Sequence, residues 1–348
     1  MNEANQTEGG EVDLLVLDYK QCFDSLYANS VALDLYDSGI QDNHLNLIHE
    51  ADKSHSIGVN TPCGMTERVE VNDSVLQGEC LGPLKCSNSV DKIGKQCIED
   101  GKNLYYYRNN TAVPPLGMVD DVICIAKCGA ESVEMNAYVN AMSSIKKLQL
   151  GTKKCHQIHV GKDRSKCPDL FIDSWKLEKK TDVITSVLDQ EDIEDDAELL
   201  QKSKKTKYLG EILSNNNSYN ENIKARVARG ISAGKAILQI LDETMFGPYE
   251  NEVFLTLRDS LLLSTLLNNS ETWYQVSKQN IADLEKVDEN IMRQKFSLPA
   301  TCPRIFLYLE TGTMPARYVI IIRRLNFLKW RMKAQLYTGY SKIKYKNP

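Results

Sequence analysis

The first 215 residues alternate short apolar runs with segments of helical periodicity. Val12–Leu17 is an apolar run ending at Asp18, which predicts a strand that leads into a helix as far as Ser38. Loose alternation over residues 56–76 predicts a hairpin. Apolar spacing and turn residues predict helices at 77–101 and 132–148, and strands at 104–107, 116–126, 155–160 and 170–177. This mixture is typical of an α+β domain.

Beyond residue 215 the pattern is helical throughout. Apolar residues recur at helical spacing in residues 223–241, 253–267, 284–292 and 318–336. The sequence therefore predicts a disordered N-terminus (1–11), an α+β domain (12–215) and a helical region (216–348). A dense acidic run, residues 191–196, predicts a solvated loop at 182–200.

Composition excludes several classes of protein. The 348 residues are 42% hydrophobic and 26% charged, which rules out collagen-like or low-complexity chains. No apolar run approaches the roughly 18–20 residues that span a bilayer, and the polar N-terminus is not a secretory signal. The ten cysteines lack a repeated spacing, so we interpret them as reduced thiols. We expect an intracellular protein, cytoplasmic or nuclear, without a membrane partner.

Charge is divided unevenly along the chain, whose net charge is −5. Residues 1–200 carry 19 Lys/Arg against 34 Asp/Glu, which is −15, whereas residues 201–348 carry 23 against 13, which is +10. The basic half suggests contact with a polyanion. An acidic loop followed by ordinary solvated helices would give the same asymmetry.

Three carboxylates lie at the ends of predicted strands. Asp18 follows one apolar run, and Asp120-Asp121 interrupts another, where a strand-turn-strand would lift them to a hairpin tip. Carboxylates on neighbouring strands can hold two divalent ions about 3.5–4 Å apart, which activate a hydroxyl nucleophile and stabilise a pyrophosphate leaving group. Magnesium suits such a site because it needs few protein ligands. Taken alone, Asp120-Asp121 is also what an acidic turn would supply.

Five short motifs, in this order and spacing, resemble the reverse transcriptases of non-LTR (LINE-type) retrotransposons from palm to thumb. The resemblance extends from about residue 12 to residue 335, and the helical segment after Glu271–Trp273 is similar to the thumb. The motifs are Leu17–Asp24 (LDYKQCFD), Leu76–Leu84 (LQGECLGPL), Met118–Asp121 (MVDD), Leu148–Cys155 (LQLGTKKC) and Lys207–Gly210 (KYLG).

The resemblance implies an RNA-directed DNA polymerase with an antiparallel palm sheet, helices on one face of that sheet, and a helical thumb. It implies that Asp18, Asp120 and Asp121 ligate two Mg²⁺ ions, and that Lys154 donates a proton to pyrophosphate. A solvated charge is the alternative for Lys154, since Lys153 is adjacent. The implied partners are an RNA template, a DNA primer and deoxynucleoside triphosphates.

The resemblance also assigns residues that bind the substrates. Phe23 would lie under the sugar of the incoming nucleotide and disfavour a 2′-hydroxyl. The other implied contacts are Gln77 and Gly78 along the nucleotide and template, and Tyr208, Leu209 and Gly210 at the primer terminus.

The sequence departs from the family in two ways that bear on activity. Family members carry a fingers region before the first motif, and only about a dozen polar residues precede it here, so we expect a palm-to-thumb fragment with reduced activity by itself. Met118 replaces the usual aromatic residue, which a large apolar side chain tolerates. The alternative function is a catalytically dead remnant that binds nucleic acid.

Cys155, His156, His159 and Cys167 are the candidate ligands of a second metal site. Their spacing matches no closed zinc pattern, and strand alternation predicts His156 and His159 on opposite faces. The sequence therefore favours ordinary core and loop residues over a zinc site.

Overall fold

The computed structural model describes residues 11–53, 55–71, 75–76, 78–101, 105–107, 111–127, 129–161, 167–173, 197–216, 218–244, 246–273 and 276–337. The chain divides into two compact units, residues 1–217 and 218–348. The predicted disordered residues 1–10 and the acidic run at 191–196 lie outside the described residues, as does Gln77.

Strands and helices alternate through the first unit. Its strands are β1 (Val12–Lys20), β2 (His55–Ile57), β3 (Asn60–Thr61), β4 (Gly64–Met65), β5 (Val69–Val71), β6 (Tyr105–Tyr107), β7 (Thr111–Val113), β8 (Leu116–Met118), β9 (Asp121–Lys127), β10 (Gln149–Leu150), β11 (His156–Val160), β12 (Phe171–Asp173), β13 (Ala197–Leu199), β14 (Gln201–Lys202), β15 (Lys205–Tyr208) and β16 (Glu211–Ser214). Its helices are α1 (Cys22–Ser25), α2 (Ala28–Asp37), α3 (Asp42–Lys53), α4 (Gly82–Glu99) and α5 (Ala130–Ile145). The mixed helix-and-strand class predicted from the sequence is confirmed.

A six-stranded sheet organises this unit, in the order β14-β11-β1-β9-β8 with β10 also paired to β1. The nine apolar-rich residues of β1 form its centre, pairing antiparallel with β9 on one side and with β10 and β11 on the other. Alternation along β1 sends Leu15, Leu17 and Tyr19 to one face. That face packs against α2, α4 and α5, so these helices lie on one side of the sheet.

The second face of the sheet is covered only in part. Val12, Leu14, Ile158 and Val160 form a small core there, against side chains from β6 and from β16. Asp18 shares this face by alternation and is 18% exposed at the other end of β1. Tyr19, the residue after Asp18, is buried on the opposite face, whereas Asp18 is partly exposed.

Several predicted elements differ from those observed. The sheet is mixed rather than wholly antiparallel, because β14 runs parallel to β11 after a connection long enough for a crossover. The loop predicted at 182–200 ends earlier than predicted, because Ala197–Leu199 form strand β13, which pairs with β12. The helix predicted after Asp18 is two helices, α1 and α2. Helix α3 was not predicted, since it buries little apolar surface.

The second unit is helical. Its helices are α6 (Asn220–Glu243), α7 (Glu250–Leu257), α8 (Leu263–Leu266), α9 (Lys278–Lys295), α10 (Arg304–Thr311) and α11 (Ala316–Tyr337), with a 3₁₀ turn at Gly247–Tyr249 and a π-helical segment at Arg258–Leu262. Helix α6 packs against α8 and α9 around one apolar core. Close approach is possible because Gly230 faces Leu266 and Gly234 faces Ile291, where a Cβ would lie within 2.5 Å of the facing side chain.

One buried ion pair links the helices of this unit. The Arg258 Nε donates to Asp288 Oδ1 at 2.7 Å and Nη2 donates to Oδ2 at 2.7 Å, with both side chains almost fully buried. Burial lowers the pKa of Arg258, but the hydrogen bonds and charge of Asp288 raise it by more. Burial raises the pKa of Asp288, and the hydrogen bonds and charge of Arg258 oppose that rise. The guanidinium stays charged, and the pair joins the π-helical segment to α9.

In the part of the chain that the structure describes, no single helix is long and apolar enough to cross a bilayer.

Candidate functional site

The strand register brings two of the three predicted carboxylates opposite each other. Asp18 pairs with Asp121 across β1 and β9, and in an antiparallel sheet such Cα atoms lie about 4.5–5.5 Å apart. Asp121 begins β9, while Asp120 lies in the turn from β8. The Tyr19 amide donates to the Asp120 carbonyl at 3.2 Å, which fixes the turn against β1.

The β8–β9 hairpin has a turn of two residues, Val119 and Asp120, because Met118 pairs with Asp121. Val119 has φ 61°, a left-handed conformation that is rare for a β-branched residue and costs about 1–3 kcal/mol. Gly117 permits the hairpin to approach α4, since a Cβ there would lie 2.7 Å from Val90 Cγ1. Packing against α4 thus holds a strained turn that presents Asp120.

Lys154 reaches the same site from a different part of the chain. Its Nζ lies 3.1 Å from Asp18 Oδ1 and 3.3 Å from Oδ2, while the side chain is 72% exposed. The turn at 151–155 is held to β1 because the Gly151 amide donates to the Asp18 carbonyl at 2.8 Å. The Asp18 amide in turn donates to Cys155 Sγ at 3.3 Å.

The four side chains form an electrostatic cluster with excess negative charge. Burial raises the pKa of Asp121, the charges of Asp120 and Asp18 raise it further, and Lys154 opposes them. The hydrogen bond and charge of Asp18 raise the pKa of Lys154, so its ammonium stays protonated at neutral pH. Three carboxylates share one lysine, which leaves a site that attracts cations.

The donor set fits a magnesium ion. Asp18, Asp120 and Asp121 offer only carboxylate oxygens, which are the ligands of a hard divalent cation, and the like-charge repulsion at Asp121 is what such an ion would relieve. The three carboxylates are not drawn together as tightly as a bound ion would require. In the described residues they are not among the groups whose ligand atoms all lie within 4.8 Å of one another.

The β15–β16 hairpin carries the predicted primer contacts to the edge of this site. Leu209 and Gly210 have φ 46° and 81°, so both turn residues are left-handed, as a type I′ hairpin requires. The Tyr208 hydroxyl lies 3.5 Å from the Leu116 carbonyl on β8. Burial and the charge of Asp121 raise the pKa of Tyr208 to about 12. Leu209 is 41% exposed at the tip.

Phe23 and Gly78 lie in neighbouring segments. The Val75 amide donates to the Phe23 carbonyl at 3.1 Å, and a Cβ at Gly82 would lie 3.5 Å from the Phe23 ring. Gly78 has φ 91° with open space around it. The structure thus places Phe23 against the second motif, while the roles of Phe23, Gln77 and Gly78 stay predictions.

Two charged residues of the second motif have a structural explanation. Lys85 is 2% exposed, and its Nζ donates to Asp52 at 2.6 Å and to Glu79. The buried ion pair of Lys85 with Asp52 therefore joins α3 to α4.

Sequence reasoning did not identify Gly151 and Cys155 as contacts of Asp18. Both lie inside the fourth motif, Leu148–Cys155, so the motif was the available signal. Their function here is to position the backbone of Asp18 through hydrogen bonds, which no spacing in the sequence reveals.

Comparison with known proteins gives only distant structural likenesses. No family model matches the chain, and no curated protein matches it. Among solved structures, it is similar to apo telomerase from Candida tropicalis, with TM-score 0.42 and 12% identity over 90% of this chain and 46% of the other. It is also similar to telomerase from Candida albicans in complex with a fragment of telomeric RNA, with TM-score 0.37 and 12% identity over 87% of this chain and 50% of the other.

A telomerase from Candida tropicalis truncated from its C-terminal domain gives TM-score 0.36 and 14% identity over 59% of this chain. This chain spans about a third to a half of the length of these telomerases (34% to 50%). Likeness of this extent establishes neither a common activity nor a common ligand.

Proposed function

We propose that this chain is the palm and thumb region of a retrotransposon-type reverse transcriptase that extends a DNA primer along an RNA template. The observation that carries the proposal is the pairing of Asp18 with Asp121, beside a turn that presents Asp120 and a lysine that reaches Asp18. The order of the five motifs supports the same function, because each falls on a different element and three of them meet at this site.

The three carboxylates would hold two magnesium ions on the second, partly covered face of the sheet, which carries Asp18. Asp18 and Asp120 are the first candidates, and Asp121 completes the set from the start of β9. When magnesium is bound there, it supplies the Lewis acid that activates the primer 3′-hydroxyl and stabilises the pyrophosphate.

Lys154 would serve as the general acid. Its side chain is 72% exposed, and the neighbouring carboxylates keep its ammonium protonated. The nucleotide pyrophosphate would gain a proton from Nζ as the bond to the α-phosphorus breaks. Phe23 would restrict the sugar, and Tyr208, Leu209 and Gly210 would hold the primer terminus.

The helical unit would contact template and primer phosphates. A groove of about 770 Å³ runs between α6 and α9, and its lining includes Lys224, Lys235 and Lys286 against one carboxylate, Asp283. Lysines along a groove attract a phosphate backbone through counterion release.

Primer extension on oligo(dT)-primed poly(A) RNA with magnesium tests the proposal. The parent chain should extend the primer and Asp120→Asn should abolish extension, because the turn then lacks one negative oxygen ligand. Asp196→Asn is the matched control, as it changes the second Asp-Asp pair in the sequence. Undiminished extension by Asp120→Asn would contradict the mechanism.

The lysine-lined groove favours a second candidate, a nucleic-acid-binding protein without polymerase activity. In that case neither the parent nor Asp120→Asn extends the primer, yet both bind primed RNA with an affinity that falls as salt rises. Absence of binding at low salt would exclude both functions.

A further inference from the structure

We propose that Asp13, His159 and Cys167 bind a divalent transition-metal ion of the zinc class. In the part of the chain that the structure describes, these form the one group of three or more Cys, His, Asp or Glu side chains whose ligand atoms all lie within 4.8 Å of one another. The site is independent of the carboxylate cluster, since alternation along β1 places Asp13 and Asp18 on opposite faces of the sheet.

Strand pairing creates the site. Asp13 on β1 is the direct partner of His159 on β11, and Asp13 Oδ1 lies 2.9 Å from His159 Nδ1. Asp13 is fully buried and His159 is 8% exposed. Cys167 lies beside them, half-buried, and the ligand atoms of the three side chains all lie within 4.8 Å of one another.

Two atoms of the pair are buried without a hydrogen-bond partner among the described residues. They are Asp13 Oδ2 and His159 Nε2. An ordinary buried Asp-His pair would be costly with both atoms unsatisfied, because each has lost its water and gained nothing in return. A metal ion that accepts lone pairs from these groups would supply the missing interaction.

Gly161 lies in tight surroundings beside the histidine ring. A Cβ at position 161 would lie 2.8 Å from His159 Nε2 and 2.6 Å from Glu11 Cγ. Any other residue would therefore crowd the nitrogen that lacks a partner. The absence of a side chain here is what an approach to Nε2 requires.

Lys202, beside the group, has other partners. Lys202 Nζ is 2.6 Å from Asp169 and 2.9 Å from the Cys167 carbonyl, so its charge is already paired. Among the side chains that the structure describes, His159 hydrogen-bonds the Asp13 carboxylate through Oδ1, which leaves Oδ2 available to a bound cation.

The donor set selects the metal. A thiolate, an imidazole and a carboxylate suit zinc, which takes sulfur, nitrogen and oxygen ligands in tetrahedral geometry, whereas magnesium avoids sulfur. Three protein ligands leave a fourth position for water. Because the ligands come from β1, β11 and the segment before β12, a bound ion would clamp the sheet to that segment.

Cobalt titration of the full-length chain under reducing conditions tests the proposal. Co²⁺ should produce a sulfur-to-cobalt charge-transfer band, and Zn²⁺ should displace it. Cys167→Ser should abolish the band and weaken Zn²⁺ binding by more than about tenfold. Cys302→Ser is the matched control, because both cysteines precede a proline, are half-buried, and direct their thiol to that proline's carbonyl.

Gly161→Ala provides an independent variant that keeps all three ligands. It should weaken Zn²⁺ binding by crowding His159 Nε2, and circular dichroism confirms that each variant is folded. Failure of the parent chain to bind Co²⁺ or Zn²⁺ would overturn the proposal. An undiminished band in Cys167→Ser, or its loss in Cys302→Ser, would do the same.

Discussion

Replacing Lys154 with methionine separates proton donation from metal binding at the carboxylate cluster. The substitution keeps the unbranched stem and removes the charge that lies 3.1 Å and 3.3 Å from the two Asp18 oxygens. Because the lysine is 72% exposed, losing its ion pair should leave the unfolding temperature unchanged. Any change in rate then reports on chemistry rather than on folding.

The expected loss of rate is about 10²–10⁴-fold, the usual contribution of a positioned general acid. The affinity of the cluster for magnesium, by contrast, should not fall. Lys154 lowers the pKa of Asp121 and occupies Asp18, so its removal makes the cluster more negative. The magnesium concentration that gives half-maximal extension should therefore be the same as in the parent chain or lower.

Single-turnover primer extension at several magnesium concentrations measures both quantities. Lys153→Met is the matched control, since it removes an adjacent exposed charge that makes no contact with Asp18 in the described structure. A rate loss in Lys154→Met of less than about tenfold would refute the general-acid role. A rate restored to the parent value by excess magnesium would show that Lys154 only positions Asp18.

Two stability predictions follow from the charges. Asp121→Asn should raise the unfolding temperature at neutral pH, because burial, Asp120 and Asp18 raise the pKa of Asp121 and so disfavour its ionised form in the folded state. The gain in unfolding temperature should shrink as the pH falls through that raised pKa. An unchanged unfolding temperature at neutral pH would contradict the charge argument. Asp288→Ala should cost about 3–5 kcal/mol of unfolding free energy, measured by denaturant titration, because it leaves Arg258 buried and unpaired, and Arg258→Met with Asp288→Leu should recover most of that loss.

The parts of the fold that sequence predicted are those with a local signal. The apolar run before Asp18 and the interrupted run at Asp120-Asp121 each specify a strand through their own composition, and both strands form. Helix α3 escaped prediction because its apolar face is short, with Leu45 and Ile48 only partly buried against the core. The parallel pairing of β14 escaped because a two-residue strand has no period to recognise.

In the candidate site, too, the sequence predicted single residues but not all of the contacts between distant parts of the chain. Asp18, Asp120, Asp121 and Lys154 were each singled out from the sequence, and the structure brings Lys154 onto Asp18 across 136 residues of chain. Sequence reasoning named His159 and Cys167 as possible zinc ligands but favoured core and loop residues, and it missed Asp13, which is 146 residues from His159. Sequence reasoning did predict that His156 and His159 point to opposite faces, and in the structure they contact different partners, Ser203 and Asp13.

The sequence by itself determined that residues 12–17, 116–126 and 155–160 contain strands and that acidic residues lie near the ends of two of them. Periodicity is a local property, so neighbouring residues suffice to define it. Only the tertiary structure decided that Asp18 stands opposite Asp121 and that Asp13 stands opposite His159. A shift of register by one residue would separate both pairs, and register is set by the packing of whole strands and helices around the core.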